Sequence, residues 1–450
     1  MKAQTIILGN VIFMKKLLYP FAAIVFAMLP ALSCNKESAV KVVDLAKLTA
    51  DYEAKDGETL SGILGGNYKI TIADGAVVTL KNAVIYGENN EAYKWAGITA
   101  TGDATIVLVA SNIVRGFHEN YPGIFVPEGK TLRIKGNGKL EAGSSGRGAG
   151  IGGANYEQIN CGNIEILEGT IRAVSGMNSA AIGAGGLSEC GSITISGGFV
   201  TAVPYNSDSA AGIGTGRKRS RCGDITISGG NVVAEAGDLS AGIGSSYESI
   251  CGNITISGGT VTAHGGTNAA CIGSGAGCDE ELETSFAPSV CGNITISGGT
   301  VTAHGGTNAA CIGSGAGCDK ELETSFDPSV CGNITISGGT VTAEAAGDGN
   351  TFAAGIGSGN DNAVCGNILI SGGTVYTKGG SDAAGIGTSE QSSVGDITIT
   401  DGVMKVTAEK TSKGEDTHCI GGGTDYKRIG KVTIGGKEGP VIESPFVYKP

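Results

Sequence analysis

One pattern, Cys-Gly-(Asn/Ser/Asp)-Ile-x-Ile, returns at Cys161, Cys190, Cys222, Cys251, Cys291, Cys331 and Cys365, and again with Val394 or Ile429 in the cysteine's place. The intervals are 29, 32, 29, 40, 40, 34, 29 and 35 residues. Each copy leads into a turn, most often Ser-Gly-Gly, then a Val-x-Ala-like stretch, then a variable loop. Ala-Ala-Gly-Ile-Gly usually closes the unit, as at 353–357 and 383–387. Residues 251–290 and 291–330 agree at 38 of 40 positions, differing only at Glu280/Lys320 and Ala287/Asp327. A chain built by repetition at this period folds by stacking its units.

Within a unit, Ile254 and Ile256 alternate with Asn253, Thr255 and Ser257, the period-2 pattern of a strand with one buried face. Val261 and Ala263 repeat the pattern, and Ile272 marks a third short strand. No single unit can bury these faces. Stacked about 4.8 Å apart, each strand pairs with its copies above and below. The expected fold is all-β: a right-handed, three-sided parallel β-helix of roughly a dozen rungs. Its length would be on the order of 55–60 Å.

Composition agrees. The chain has 79 glycines in 450 residues but only 10 prolines, which excludes collagen. Glycine at this density disfavours long helices. With 40% hydrophobic and 16% charged residues, simple disorder is also disfavoured. A net charge of −12 argues against a nucleic-acid partner.

The expected organisation has four parts: a lipoprotein-type signal peptide at 1–33, a tether and N-terminal cap at 34–56, irregular rungs at 57–150 and regular rungs at 151–447. Tyr68-Lys69-Ile70-Thr71-Ile72, then Asp74-Gly75, then Val77-Val78-Thr79-Leu80 reads as strand, turn and strand in the irregular part. Asp44 to Ala54 is the one segment with some helical character.

The recurring residues read as structural. Val394 and Ile429 share the cysteine slot, so that slot wants a small apolar side chain, as a free cysteine is. Close Cys-x₂₋₄-Cys pairs typical of zinc are missing, and no metal or other cofactor is expected. Cys278 and Cys318, in loops of adjacent units, could form a disulfide in an exported protein. The Asn or Asp at 163, 224, 253, 293, 333, 367 and 396 can bond backbone groups in the turn, or its neighbours along the stack.

Catalysis by paired carboxylates needs two acids a short distance apart in a cleft. Outward strand positions here are mostly Thr and Ser. The acids sit in loops, at Asp279, Glu280, Glu281 and Glu283 and at Asp319, Glu321 and Glu323. Duplicate acidic loops suit repeated contacts better than one catalytic centre. The four histidines, His118, His264, His304 and His418, fall in loops or turns. No catalytic residue is assigned.

Two departures from the repeat are candidate binding sites. Tyr86, Tyr93, Trp95, Phe117, Tyr121 and Phe125 cluster within 40 residues and include the only tryptophan. Flat aromatic rings can stack on sugars. The candidate contacts are Trp95, Tyr93, Tyr121 and Phe117, unless these rings only fill the wider N-terminal rungs. Arg217-Lys218-Arg219-Ser220-Arg221 is a basic run in an acidic chain, and Arg217 and Arg219 are candidates for an anionic glycan.

Met14-Lys15-Lys16, an apolar run from Leu17 to Leu32 and Ala31-Leu32-Ser33-Cys34 resemble a bacterial lipoprotein signal, with Cys34 as the lipidated residue. Met14 is an alternative start to Met1. The repeat Gly-Asn-Ile-Thr-Ile-Ser-Gly-Gly-Thr-Val-Thr-Ala resembles cell-surface β-helix repeat lipoproteins of Bacteroidetes-type bacteria. It is also similar to carbohydrate-binding β-helix proteins of pectate-lyase-like fold. The resemblance implies a monomeric, non-enzymatic adhesin or glycan binder on the outer membrane or cell surface. Its membrane contact would be the lipid alone, with the periplasmic face as the other placement. A polysaccharide lyase or glycoside hydrolase of this fold, and a purely structural spacer, are the alternatives.

Overall fold

The computed structural model describes residues 41–156, 159–205, 210–277, 287–318, 328–346, 351–411 and 416–450. The signal segment, Cys34, Cys278 and the acidic residues of the two duplicated loops lie outside them.

The chain is an all-β parallel solenoid. Three sheets run along it, of 24, 13 and 7 strands. Each regular rung crosses them in a fixed order. A two-residue strand ending at the recurring cysteine belongs to the smallest sheet. The Ile-x-Ile strand and the Val-x-Ala strand follow, both in the largest sheet, and the Ile-Gly strand belongs to the 13-stranded sheet. The 13 strands on that last face match the expected dozen or so rungs. One refinement concerns the faces. The Ile-x-Ile and Val-x-Ala strands are two arms of one sheet, bent at Ser-Gly-Gly. In Ile334–Glu344 and Ile368–Gly379 the strand continues through the bend.

Register is strict. Ile193 pairs with Ile225, Ile225 with Ile254, Ile254 with Ile294, Ile294 with Ile334 and Ile334 with Ile368. All of these isoleucines are buried, and they run as a column through a single core. The Ile-Gly strands stack likewise. Gly214, at φ 138°, lies so close to the carbonyl oxygen of Gly244 that a Cβ would overlap it. Only glycine combines that left-handed backbone with that approach.

Strand pairing begins at Val42, inside the stretch expected to be tether and cap. Val42–Asp44 pairs with Thr59–Ile63, and Tyr52–Ala54 with Ile70–Ile72. The helical character expected over 44–54 is confined to a single 3₁₀ turn, Leu45–Lys47, because Tyr52–Ala54 joins a sheet instead. At the other end Lys437–Glu438 and Phe446–Tyr448 turn back antiparallel across the last strands.

Three polar or sulfur columns accompany the core. In the first, each Asn or Asp side chain accepts from the backbone N–H of its own counterpart on the next rung. Asn253 Oδ1 accepts from Asn293 N–H at 2.9 Å, Asn293 from Asn333 at 2.8 Å, Asn333 from Asn367 at 2.8 Å and Asn367 from Asp396 at 2.8 Å. These residues thus tie rungs together rather than closing their own turns.

In the second column a buried hydroxyl follows the Ile-Gly pair in six successive rungs, at Thr215, Ser245, Ser274, Ser314, Ser358 and Thr388. Ser245 Oγ accepts from Gly275 N–H and Ser274 Oγ from Gly315 N–H, both at 3.1 Å. Ser314 Oγ accepts from Gly359 N–H at 3.2 Å. A buried N–H without a partner is costly, and these hydroxyls supply the partners.

The third column holds the cysteines. Cys190, Cys222, Cys251, Cys291, Cys331 and Cys365 pair residue to residue, and Cys161 bridges to Cys190. Val394 continues the row beside Cys365, and all these side chains are buried. Hydrogen bonding between neighbours pulls the Cys222 and Cys291 thiols down. The same bonding, together with burial, pushes Cys190, Cys251 and Cys331 well up.

The first rung is held by a buried carboxylate. Glu58 receives Lys41 Nζ at 2.6 Å, the Tyr52 hydroxyl at 2.7 Å and the Lys55 N–H at 3.0 Å. Burial alone would raise its pKa, but these three donors hold it below the ordinary 4.5.

Two outcomes follow. Asn293→Ala removes an inter-rung acceptor and should lower stability by about 1 kcal/mol, whereas Asn293→Asp, which keeps the acceptor, should cost less; urea unfolding of both variants measures the difference. Because the folded pKa of Glu58 is depressed, its contribution is present above pH ~4.5 and lost as pH falls through the folded value. Amide exchange in Val42–Asp44 and Thr59–Ile63 should therefore accelerate in Glu58→Gln at pH 7 but match the wild type once both are well below pH 4.

Candidate functional site

The aromatic cluster is made by register. Ile98 pairs with Ile124 and Thr99 with Phe125 on neighbouring strands of the 13-stranded sheet. Trp95 lies three residues before Ile98, and Tyr121 three residues before Ile124. The two rings therefore occupy the same position in successive rungs. The next rung carries Gly148 there, where a Cβ would meet the Tyr121 backbone.

The loop before Trp95 is folded on itself. Tyr93 N–H donates to Asn90 O at 3.0 Å, and the Asn90 side chain accepts from Ala92 N–H at 2.9 Å. Phe117 N–H donates to Trp95 O at 3.1 Å, joining this loop to the next. The second loop turns on His118, whose carbonyl receives Tyr121 N–H at 3.0 Å and whose Nδ1 receives Asn120 N–H at 3.2 Å. His118 is buried, and its Nε2 lies 3.1 Å from Glu91 Oε1. Glu91 is held below the usual carboxylate range by His118 first and then by Lys94, whose Nζ is 3.3 Å away.

Trp95, Tyr121 and Phe125 are half-buried and line a groove of ≈ 250 Å³, together with Lys69, Lys94 and Thr99. Tyr93 leans on Trp95, with centroids 5.3 Å apart at 59°. Phe117 lies on another side of the indole, at 5.8 Å and 37°, and is wholly buried. Phe117 is thus a correction to the sequence reading. It supports the platform from within the core and has no surface to offer a ligand. Trp95 Nε1 is buried and has no hydrogen-bond partner among the described residues. Tyr86, more than half exposed, is not among the residues lining the groove. The arrangement offers apolar ring faces with ammonium groups beside them, which suits stacking on a flat, hydroxyl-bearing ring.

The basic run is divided. Arg217 follows Gly214 by three residues, as Tyr247 follows Gly244, so register places one above the other. The Arg217 guanidinium lies 5.3 Å from the centroid of the buried Tyr247 ring. Arg217 is therefore largely engaged within the scaffold by a cation–π contact. Lys218 and Arg219 take left-handed backbone conformations, and their N–H groups donate to Tyr247 O at 3.0 Å and Glu248 O at 2.7 Å. Arg219 is exposed. With Arg221, Glu248 and Pro288 it lines a shallow depression of ≈ 230 Å³. The groove and this depression are not brought together. Four strand steps separate Ile98–Ala100 from Ile213–Gly214, roughly 19 Å.

Sequence reasoning found the aromatic residues but not Lys69 or Thr99. Aligning the irregular units on Ile70, Ile98 and Ile124 was the available signal. Cys318 is buried, whereas Cys278, its expected disulfide partner, lies outside the described residues. Among the described residues no group of three or more His, Cys, Asp and Glu side chains is placed to hold a metal ion.

No curated protein and no solved structure matches the chain. A family model described as beta helix repeat matches at residues 193–217, 225–247, 254–276, 294–316, 334–360 and 368–390. Each match opens on an Ile-x-Ile strand and ends just past the Ile-Gly strand of the same rung. On this evidence, and on its stacked rungs, the chain is a β-helix repeat protein.

Proposed function

We propose that this protein is a non-enzymatic, lipid-anchored surface solenoid that binds carbohydrate through the groove formed by Trp95, Tyr121 and Phe125. The observation that carries the reading is that Trp95 and Tyr121, each three residues before a paired isoleucine of successive rungs, line one groove. In a chain with 5% aromatic residues, register collects its only tryptophan and two further rings on one outer patch. Phe117 and Tyr93 brace the indole, so little ordering is needed when a sugar docks. Arg219 and Arg221, several rungs away, are a secondary contact for an extended anionic polymer. Separate weak sites along one axis would add avidity. Lipid on Cys34 holds the solenoid at the outer membrane or cell surface as a monomer.

Full-length protein on a broad glycan array should bind a defined saccharide class. Trp95→Ala and Tyr121→Ala should each weaken that binding by about tenfold, while Tyr86→Ala leaves it unchanged. No saccharide bound, or binding indifferent to both substitutions, sinks the aromatic platform. In cells fed a labelled fatty acid, the protein should take up label and partition with membranes, and Cys34→Ala should do neither. A soluble, unlabelled wild type would refute the anchor.

A further inference from the structure

The near-verbatim repetition of 251–290 in 291–330 leaves a pair of equivalent histidines on the outer surface. The sequence places His264 and His304 in loops or turns. In the structure His304 ends the strand Thr300–His304, and His264 directly follows Thr260–Ala263, which pairs with it. The two rings are side by side on neighbouring strands, with centroids 6.4 Å apart and planes at 89°. His264 is half-buried and His304 exposed. The column continues into Glu344, which pairs with His304 in register.

Each ring turns its Nδ1 toward an oxygen acceptor. His264 Nδ1 lies 3.1 Å from the His304 carbonyl oxygen. A carbonyl only accepts, so Nδ1 is the protonated nitrogen and the neutral ring carries its lone pair on Nε2. His304 Nδ1 faces Glu344 Oε2 at 3.7 Å, and a carboxylate favours the same tautomer. Imidazole ligands in metal sites are oriented in this way, with one nitrogen held by a carbonyl or carboxylate and the other on the metal.

We propose that His264 and His304 form a surface site for a divalent transition-metal ion of the Zn²⁺, Ni²⁺ and Cu²⁺ class. The two Nε2 atoms are the ligands, water fills the other positions and Glu344 positions His304. With metal–nitrogen distances of about 2.0–2.1 Å and a tetrahedral angle, the centroids must close by about 1 Å, which small side-chain rotations at a surface position supply. Two protein ligands make a weak, exchangeable site, consistent with the lack of a third His, Cys, Asp or Glu ligand among the described residues. The other histidines are arranged differently. His118 is buried with Nδ1 accepting from Asn120 N–H. His418 Nδ1 is engaged locally with the backbone of Gly422.

The test is calorimetric titration of Ni²⁺ into the full-length protein. A saturable site is expected. His264→Ala and His304→Ala should each weaken it at least tenfold, and Glu344→Gln should weaken it by about tenfold, as loss of an orienting partner does. The His264→Ala/His304→Ala double variant should show the same β-sheet circular dichroism as the wild type and no Ni²⁺ uptake at this site. No saturable binding, or binding that survives the double substitution unchanged, as it would if thiols were the ligands, overturns the proposal.

Discussion

The backbone ladder between one rung and the next, parallel and in strict register, is the constraint on which the rest of the molecule depends. A residue in this chain is placed less by its sequence neighbours than by its counterpart one unit away. Ile254 rests on Ile225 and beneath Ile294 because the backbones leave no other register that keeps every isoleucine inside. A slip of one residue would turn each buried column outward. Burying one isoleucine is worth about 1.5–3 kcal/mol relative to exposure, so a slip across many rungs would be prohibitive.

The polar chemistry obeys the same rule. Stacking two rungs brings the next turn's N–H groups down onto the turn below, and something must accept from them. Asn or Asp does so at the entrance to the Ile-x-Ile strand, and Ser does so after the Ile-Gly pair. Departures from the rule are where chemistry collects. Trp95 with Tyr121 along one groove, Arg217 over Tyr247 and His264 beside His304 each bring together reactive or aromatic side chains from two successive units. In this fold a site needs no convergence of distant segments. It needs only the same position to be occupied twice.

The legible and illegible parts of the sequence divide along this line. Alternation of Ile and Thr and the glycine turns announce the strands directly, and the fold follows from their repetition. Side-chain roles were harder to read. Phe117 and Trp95 look alike as aromatic residues in polar loops, yet one is core and the other lines a groove. Composition cannot tell the inward from the outward side of a loop. The hydroxyls of Ser245, Ser274 and Ser314 give no sign of their burial in the local sequence, because their partners lie a full unit away. The short cysteine strands leave no period in the sequence, since two residues are too few to show one.

The close approach of Gly214 to Gly244, and of each such glycine to the next, has a bearing on how a chain like this can change over time. A residue added within a strand would break register with both neighbours, whereas loops differ in length from unit to unit and a whole rung added or lost leaves every contact type intact. The doubled block 251–330 is an instance of that permitted change. Its two nearly identical copies also offer recombination a second place to pair. The length of the solenoid is therefore a heritable count of whole steps. Lineages could lengthen or shorten it without having to reinvent the fold.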